Sequence, residues 1–354
     1  MKITKEFWKG KNVFITGHTG FKGTWLSFLL NYLSANVTGF ALSPASKEGA
    51  DFFSFAGLSE KNSIIADIRD YSALKTAFSQ AEPEIVFHLA AQPIVSIGYQ
   101  DPLLTYSTNV MGTANLLECV RLQESVKSVL IITTDKVYQN REWVYGYRET
   151  DALGGQDPYA NSKSCAELVT KSYANSFFKT RNIALSTARA GNVIGGGDFS
   201  VNRIIPDCIR AAYSKKNIEI RHPESVRPYQ HVLEPLMAYL LIAEKQYADN
   251  FYAGNYNIGP NEENCVTTEK LANIFCKLWG EGVSWRKTTS EEFHESLTLK
   301  LDCSLFKDKF DWKPLWDIET AIRKTVEFAK VWQKNGDIKN LMRRQIEEYL
   351  NEKK

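Results

Sequence analysis

Two short clusters in this chain hold side chains suited to proton transfer. Thr133, Thr134, Asp135 and Lys136 follow an apolar run at 129–132, and Tyr159 and Lys163 lie further on, four residues apart. On a helix that spacing puts both side chains on one face. An ammonium beside a phenol stabilises the phenolate and draws the tyrosine down from its reference pKa of about 10. Tyr159 would then serve as a general base toward a hydroxyl, with Thr134 bonded to the same oxygen. Asp135 and Lys136 add an acid–base pair. An ordinary lysine is protonated at neutral pH, so Lys136 becomes a base only if burial or the Lys163 cation lowers it. The same burial would favour a protonated Asp135, whereas a charged Lys136 would oppose that. A Tyr-x-x-x-Lys pattern arises by chance, so it carries weight only in combination.

The combination is supplied near the start. Val13, Phe14, Ile15 and Thr16 read as a strand, and Gly17, Gly20 and Gly23 follow at intervals of three around His18, Thr19, Phe21 and Lys22. An apolar helix opens at once. Glycines so placed allow a tight turn, close approach to a pyrophosphate and tight helix–strand packing. The helix start offers free N–H groups and a positive dipole end to phosphate. The alternative is a plain strand–helix turn.

The elements that must position these residues alternate. Strands read at 13–16, 37–41, 63–66, 85–89, 129–132 and 183–186, with helices between them, one of them around 109–123 and one from Pro158 to about 179. Continuous apolar strands alternating with helices imply a Rossmann-type α/β parallel sheet covered on both faces. Ligands then lie beyond the carboxyl ends of the strands, after Thr16, Leu89 and Ile132. A loop of about 20 residues at 137–156, rich in aromatics and glycine, is long enough to suggest a function. Beyond Ala188 the rhythm breaks into shorter elements. The division expected is a dinucleotide-binding unit at 1–188, with 231–258 returning to it, and a smaller C-terminal substrate-binding domain at 189–230 and 259–354.

Composition narrows the class. The 354 residues are 44% hydrophobic and 24% charged, with a net charge of +2 and no basic run longer than two. That supplies a core and recommends no nucleic acid. The uncharged stretch 24–46 has the length of a membrane span but is broken by Asn31, Ser34, Asn36, Gly39 and Pro44, so a buried helix and strand are expected and no membrane. Six cysteines show no metal-like spacing with the five histidines, which points to reduced thiols, a cytoplasmic protein and no metal. Lys2, Lys5, Glu6 and Lys9 ahead of the first strand do not resemble a secretory leader.

With these motifs together, the chain resembles the extended short-chain dehydrogenases/reductases and, within them, the CDP-glucose branch of the nucleotide-sugar 4,6-dehydratases of bacterial deoxysugar pathways. The glycine turn, the Tyr159–Lys163 pair and His88-Leu89-Ala90-Ala91 mark the superfamily; Lys22 and Asp135-Lys136 mark the narrower group. Further matches run through Gly146-Tyr147-Arg148-Glu149, Gly191 to Asp198, and Arg227-Pro228-Tyr229-Gln230-His231.

The resemblance implies a bound NAD, oxidation at C4 of the sugar through Tyr159, loss of water across C5 and C6, and hydride return to C6. It implies Asp135 as the acid and Lys136 as the base. It places NAD against Gly17, Thr19, Gly20, Phe21, Lys22, Gly23, Leu89, Ala90, Ala91, Tyr159 and Lys163, with Asp67 and Ile68 bordering the adenine. Asp67 serves equally well as a helix cap near Tyr71. No carboxylate follows the second strand, where Ala41-Leu42-Ser43-Pro44 stands; no arginine follows it either, which favours NAD over NADP. Asn192, Arg203 and Arg227 match positions that hold the diphosphate of a nucleotide-sugar substrate, work that suits arginine's planar fork; Arg203 reads equally well as a surface ion pair. His231 reads best as a packed histidine, and Trp143, Tyr145 and Tyr147 either line the sugar site or staple their loop. Relatives pair through helices flanking the sheet, so a homodimer or homotetramer is expected. The rival readings are a nucleotide-sugar 4-epimerase, which needs no elimination pair, and a catalytically silent NAD-binding protein.

Overall fold

A computed structural model of the chain describes residues 3–288 and 298–352. Its centre is a seven-stranded sheet: β1 (Asn12–Thr16), β2 (Asn36–Ala41), β3 (Ser63–Ile65), β4 (Ile85–His88), β5 (Ser128–Thr134), β6 (Ala184–Ala190) and β7 (Asn255–Ile258). The order is β7-β6-β5-β4-β1-β2-β3, and every pairing is parallel. The order reverses between β1 and β4, which opens a crevice at their carboxyl ends.

Strand periodicity explains the two layers. Val13 and Ile15, Ile85 and Phe87, and Leu130 and Ile132 face one side; Phe14, Val86, Val129 and Ile131 face the other. Side chains alternate along a strand, so each strand feeds two cores. The first core takes the helices Phe21–Tyr32 and Leu233–Ala248, the second takes Tyr71–Ala81 and Gly112–Leu122. Helix Leu233–Ala248 is apolar almost all round and is buried accordingly. Among the described residues no helix is long and apolar enough to cross a membrane, and the uncharged run 24–46 divides between helix Phe21–Tyr32 and β2.

A third core collects helices Ile204–Tyr213, Thr268–Trp279 and Ile318–Gln333 beside three-residue strands. The expected division at 259 is blurred. Phe306, Phe310, Trp312 and Trp316, with Leu341, Met342, Ile346 and Tyr349 from the last helix, Ile338–Asn351, pack into the first core of the sheet. Apolar faces at both ends of the C-terminal third have to be covered, and one of them closes on the sheet.

The helix expected near 109–123 begins earlier and is uneven. Pro102–Tyr106 runs through a π-turn, Ser107–Met111, into Gly112–Leu122. The wide turn carries a buried Asn109.

Candidate active site

The glycine turn is built as its spacing suggested. Gly17 has φ +78°, and a Cβ there would lie 2.6 Å from the backbone N of Ala90; a Cβ on Gly23 would lie 2.1 Å from the Gly17 carbonyl oxygen. Both glycines are demanded by the chain itself. Gly20 is different. Its φ is −79° and a Cβ would meet only the Gly17 oxygen at 3.5 Å, an ordinary contact. No intrachain crowding explains this glycine, so the open side is room for a ligand at a helix start that carries no side-chain cap. The residues present fit a dinucleotide diphosphate. The Thr19 hydroxyl donates to the Leu42 carbonyl at 2.8 Å and ties the turn to the end of β2.

Leu89, Ala90 and Ala91 line up across the switch point. Leu89 and Ala90 donate their backbone N–H groups to the carbonyl and hydroxyl of Thr16 at 3.0 and 3.2 Å. Beneath them His88 is held from both sides, by Thr16 at 2.7 Å and Thr113 at 3.0 Å.

Thr134 ends β5 and starts a single turn, Asp135–Val137. Its hydroxyl donates to Asp135 Oδ1 at 2.9 Å and accepts from Lys136 N at 3.3 Å. Asp135 is 1% exposed, and its Oδ2 has no hydrogen-bond partner among the described residues. Lys136 Nζ lies 3.9 Å from Asp135 Oδ1, but its side chain is about one-third exposed. Lys136 lines the cavity, so the further burial a base needs there has to come from the molecule that fills it.

Helix Pro158–Tyr173 is capped by Asp157, which accepts from Ala160 N at 2.9 Å. Tyr159 and Lys163 share its buried face. Tyr159 is hydrogen-bonded to Thr134. Burial pushes its hydroxyl up to about 12, against the opposing effects of Arg203 and Thr134. Desolvation, and not the lowering expected from Lys163, sets the direction. Lys163 instead donates to the Ile132 carbonyl at 3.1 Å, and burial lowers it to about 8 while Glu167 works the other way. Lys22, also turned into this site, is drawn by burial, Arg203 and Lys163 to about 7.

Phe21, Lys22, Thr134, Asp135, Lys136 and Tyr159 line one cavity of about 840 Å³, together with Asn192, Arg203 and Arg227; Lys163, the other residues of the glycine turn and Leu89, Ala90 and Ala91 do not line it. Asn192 is held through its carbonyl, which accepts from Gln230 N at 2.9 Å. Arg203 lines the cavity and pairs with the buried Asp198 at 3.4 Å, its own side chain more than one-third exposed. Arg227 is buried and donates to the Val226 carbonyl at 2.9 Å.

Other expected residues lie elsewhere. Asp67 pairs with Arg69 at 2.6 Å, and helix Tyr71–Ala81 is capped by Asp70, so Asp67 is not the cap. The Arg69 guanidinium holds the Asp67 carboxyl below its usual value. The Ile68 side chain is core, packed against Gly112. Trp143, Tyr145 and Tyr147 line no part of the cavity. Arg141, Trp143, Tyr147, Tyr138 and Arg189 form one stack with spacings of 5.1 to 5.6 Å, so the aromatics staple the loop. His231 is buried between Trp25 and Trp316.

Asn109 escaped the sequence reading as a site residue. Asn109 accepts from Gln92 N at 2.9 Å and donates to the Gln92 carbonyl and to Ser162 Oγ at 3.1 and 2.8 Å. It locks the loop after β4 to the Tyr159 helix. A buried asparagine in an uncharged helical run was the available signal, and a π-turn is a frequent companion of functional sites.

A sequence profile of the GDP-mannose 4,6 dehydratase family matches residues 14–325. The chain belongs to that family. It is 44% identical to CDP-glucose 4,6-dehydratase of Salmonella typhimurium over 356 residues, 99% of each chain. It is 27% identical to dTDP-glucose 4,6-dehydratase of Shigella flexneri, over 74% of this chain and 77% of that one. Among solved structures, UDP-glucose 4-epimerase of Thermotoga maritima superposes with a TM-score of 0.77 at 22% identity, covering 91% of this chain and 99% of the other. The dTDP-glucose 4,6-dehydratase of Bacillus anthracis, solved in complex with NAD, gives 0.76 at 22% identity, over 94% and 100%. The two superpositions establish that this member of the family has the dehydratase and epimerase fold.

Proposed function

We propose that the chain is an NAD-dependent nucleotide-sugar 4,6-dehydratase acting on CDP-glucose, a hydro-lyase that yields CDP-4-keto-6-deoxyglucose. The observation that carries the reading is Asp135, a buried carboxyl with an unpartnered oxygen, sharing one cavity with Thr134, Lys136 and Tyr159. A 4-epimerase has no use for that carboxyl. The relative at 44% identity supplies the choice of sugar nucleotide.

The sheet unit holds the cofactor, and the segments after β6 hold the substrate. Gly17, Thr19, Gly20, Phe21, Lys22 and Gly23 cradle the dinucleotide diphosphate, Leu89, Ala90 and Ala91 border it, and Lys163 holds its ribose. Asp67 and Ile68 bound the adenine end through their backbone. Held there, NAD would supply an acceptor and later a donor of hydride for the sugar and, while oxidised, a positive charge in the site. Tyr159 removes the 4-hydroxyl proton, and Thr134 orients that oxygen. With C4 oxidised, the C5 hydrogen becomes acidic; Lys136 receives it as a proton, Asp135 protonates the departing 6-oxygen, one water leaves, and Lys136 gives its proton back to C5 as hydride is restored to C6. Asn192, Arg203 and Arg227 grip the substrate diphosphate through charge-assisted hydrogen bonds.

The enzyme works in the cytoplasm as a homodimer or homotetramer. Its cysteines are free, and Leu103, Met111 and Leu168 stand exposed on helices beside the sheet, an apolar face suited to a second copy. The test is incubation with CDP-, dTDP-, UDP- and GDP-hexoses and mass spectrometry of the products. Loss of one water from CDP-glucose is expected. Epimerised product without water loss, or no turnover of any of the four, defeats the reading.

A further inference from the structure

The chain around the short strand Val226–Pro228 alternates as an extended segment should. Ser225, Arg227 and Tyr229 line the cavity, whereas Val226 and Pro228 do not. The backbone of Ser225 is fully paired. Its N–H donates to the His222 carbonyl at 3.2 Å, and its own carbonyl accepts from Thr268 N at 3.0 Å and from Thr268 Oγ1 at 3.3 Å. Its side chain is not paired. Ser225 is 3% exposed, and its Oγ has no hydrogen-bond partner among the described residues. A buried hydroxyl without a partner costs stability, and it calls for something that completes it.

What completes it follows from the course of the segment, and the inference rests on the functional reading above. Gln230 and His231 pair with Val193 and Ile194, just past the end of β6, where Ala190 lies beside Thr134. The Ser225 end is tied instead to Thr268, which opens a helix of the third core. This wall of the cavity therefore runs away from the reaction edge, from Tyr229 through Arg227 to Ser225, with about 7 Å between alternate residues. With the hexose at Tyr159 and the diphosphate on Arg227, the part of the substrate beyond Arg227 is the nucleoside. Its polar groups next to the diphosphate are the ribose hydroxyls; the edge of the base lies further out. A serine hydroxyl both donates and accepts, which suits another hydroxyl. We propose that Ser225 reads the ribose of the substrate, hydrogen-bonding one ribose hydroxyl and so favouring ribonucleotide sugars over their deoxyribonucleotide counterparts.

The experiment measures water loss from CDP-glucose and from its 2′-deoxyribose and 3′-deoxyribose analogues, by the full-length wild type and by Ser225→Ala. For the wild type, KM is expected to rise about three- to tenfold on one of the two analogues, with kcat little changed, as for a contact made equally in ground and transition states. Ser225→Ala should show that raised KM on CDP-glucose itself and lose nothing further on the same analogue, because the bond is already gone. Urea unfolding of the ligand-free chains checks that the serine is not merely structural: Ser225→Ala is expected to be at least as stable as the wild type, since the hydroxyl it removes has no partner. The proposal is overturned if the wild type treats both analogues like CDP-glucose, if Ser225→Ala keeps the wild-type KM, or if it discriminates against the analogues as the wild type does. A wild type that loses no water from CDP-glucose defeats the functional reading itself, and the proposal with it.

Discussion

Thr133 and Thr134 are neighbours at the end of β5, and they open onto two opposite uses of buried charge. The Thr133 hydroxyl donates to Glu167, whose carboxylate also receives Thr187 at 2.9 Å and the Arg189 guanidinium at 3.0 and 2.9 Å. Arg189 goes on to Tyr138 at 2.8 Å and the Glu149 carbonyl at 3.1 Å. Both charges are nearly fully buried. One residue along the strand, Thr134 donates to Asp135, whose second oxygen has no partner, and across the cavity stands Lys22 without an anion. A satisfied network rigidifies its surroundings; a partly satisfied one is costly and signals that something else completes it. The first cluster holds the floor and the long loop in place. The second is left open for substrate.

Breaking each cluster separates the two uses. Glu167→Ala leaves the Arg189 guanidinium buried without its anion, and a loss of about 3–5 kcal/mol in denaturant unfolding is expected, the largest stability effect considered for this chain. Asp135→Asn keeps the shape and removes the acid. Water loss, followed by mass spectrometry, is expected to fall by about 10²–10⁴-fold while unfolding stability changes by about 1 kcal/mol or less. A stability loss in Asp135→Asn to match that of Glu167→Ala would erase the contrast.

The histidines sharpen the contrast by pH. Burial lowers His88 and His231 to about 3 and His18 to about 4. All three sit below the unfolded value, so the unfolded chain binds the extra protons. Stability is therefore full above about pH 6.5 and lost as pH falls toward 4, by about 2 kcal/mol per histidine at pH 5. Urea melts across that range check the sign, and a melt midpoint that stays level from pH 7 to pH 5 contradicts it. His88→Asn, which abandons the paired Thr16 and Thr113 hydroxyls, should flatten part of the slope.

The smallest effect on the fold belongs to Gly20→Ala, at about 1 kcal/mol or less, since its Cβ meets nothing closer than 3.5 Å. NAD binding by calorimetry is nonetheless expected to weaken, because the methyl enters the cradle. Gly23→Ala, with a contact at 2.1 Å, should instead disturb the fold itself.

Much of the site was legible in the chain. The glycine spacing, Thr134 directly after a strand and the four-residue step from Tyr159 to Lys163 are local patterns, and strand and helix periods translate them into positions at one sheet edge. The parallel sheet was legible for the same reason, from apolar strands alternating with helices. The π-turn and the Asn109 contacts to Gln92 and Ser162 were not, because they join residues 17 and 53 positions apart.

What the sequence determined by itself was therefore the sheet, the switch point at Thr16 and Leu89, and the chemical types gathered there, since each depends on residues close along the chain. Tertiary structure decided how those groups behave. It left Lys136 about one-third exposed, buried Lys163 and Lys22, and raised Tyr159 where its lysine neighbour alone would have lowered it. Desolvation depends on how much of the whole chain closes over a side chain, and no spacing records that.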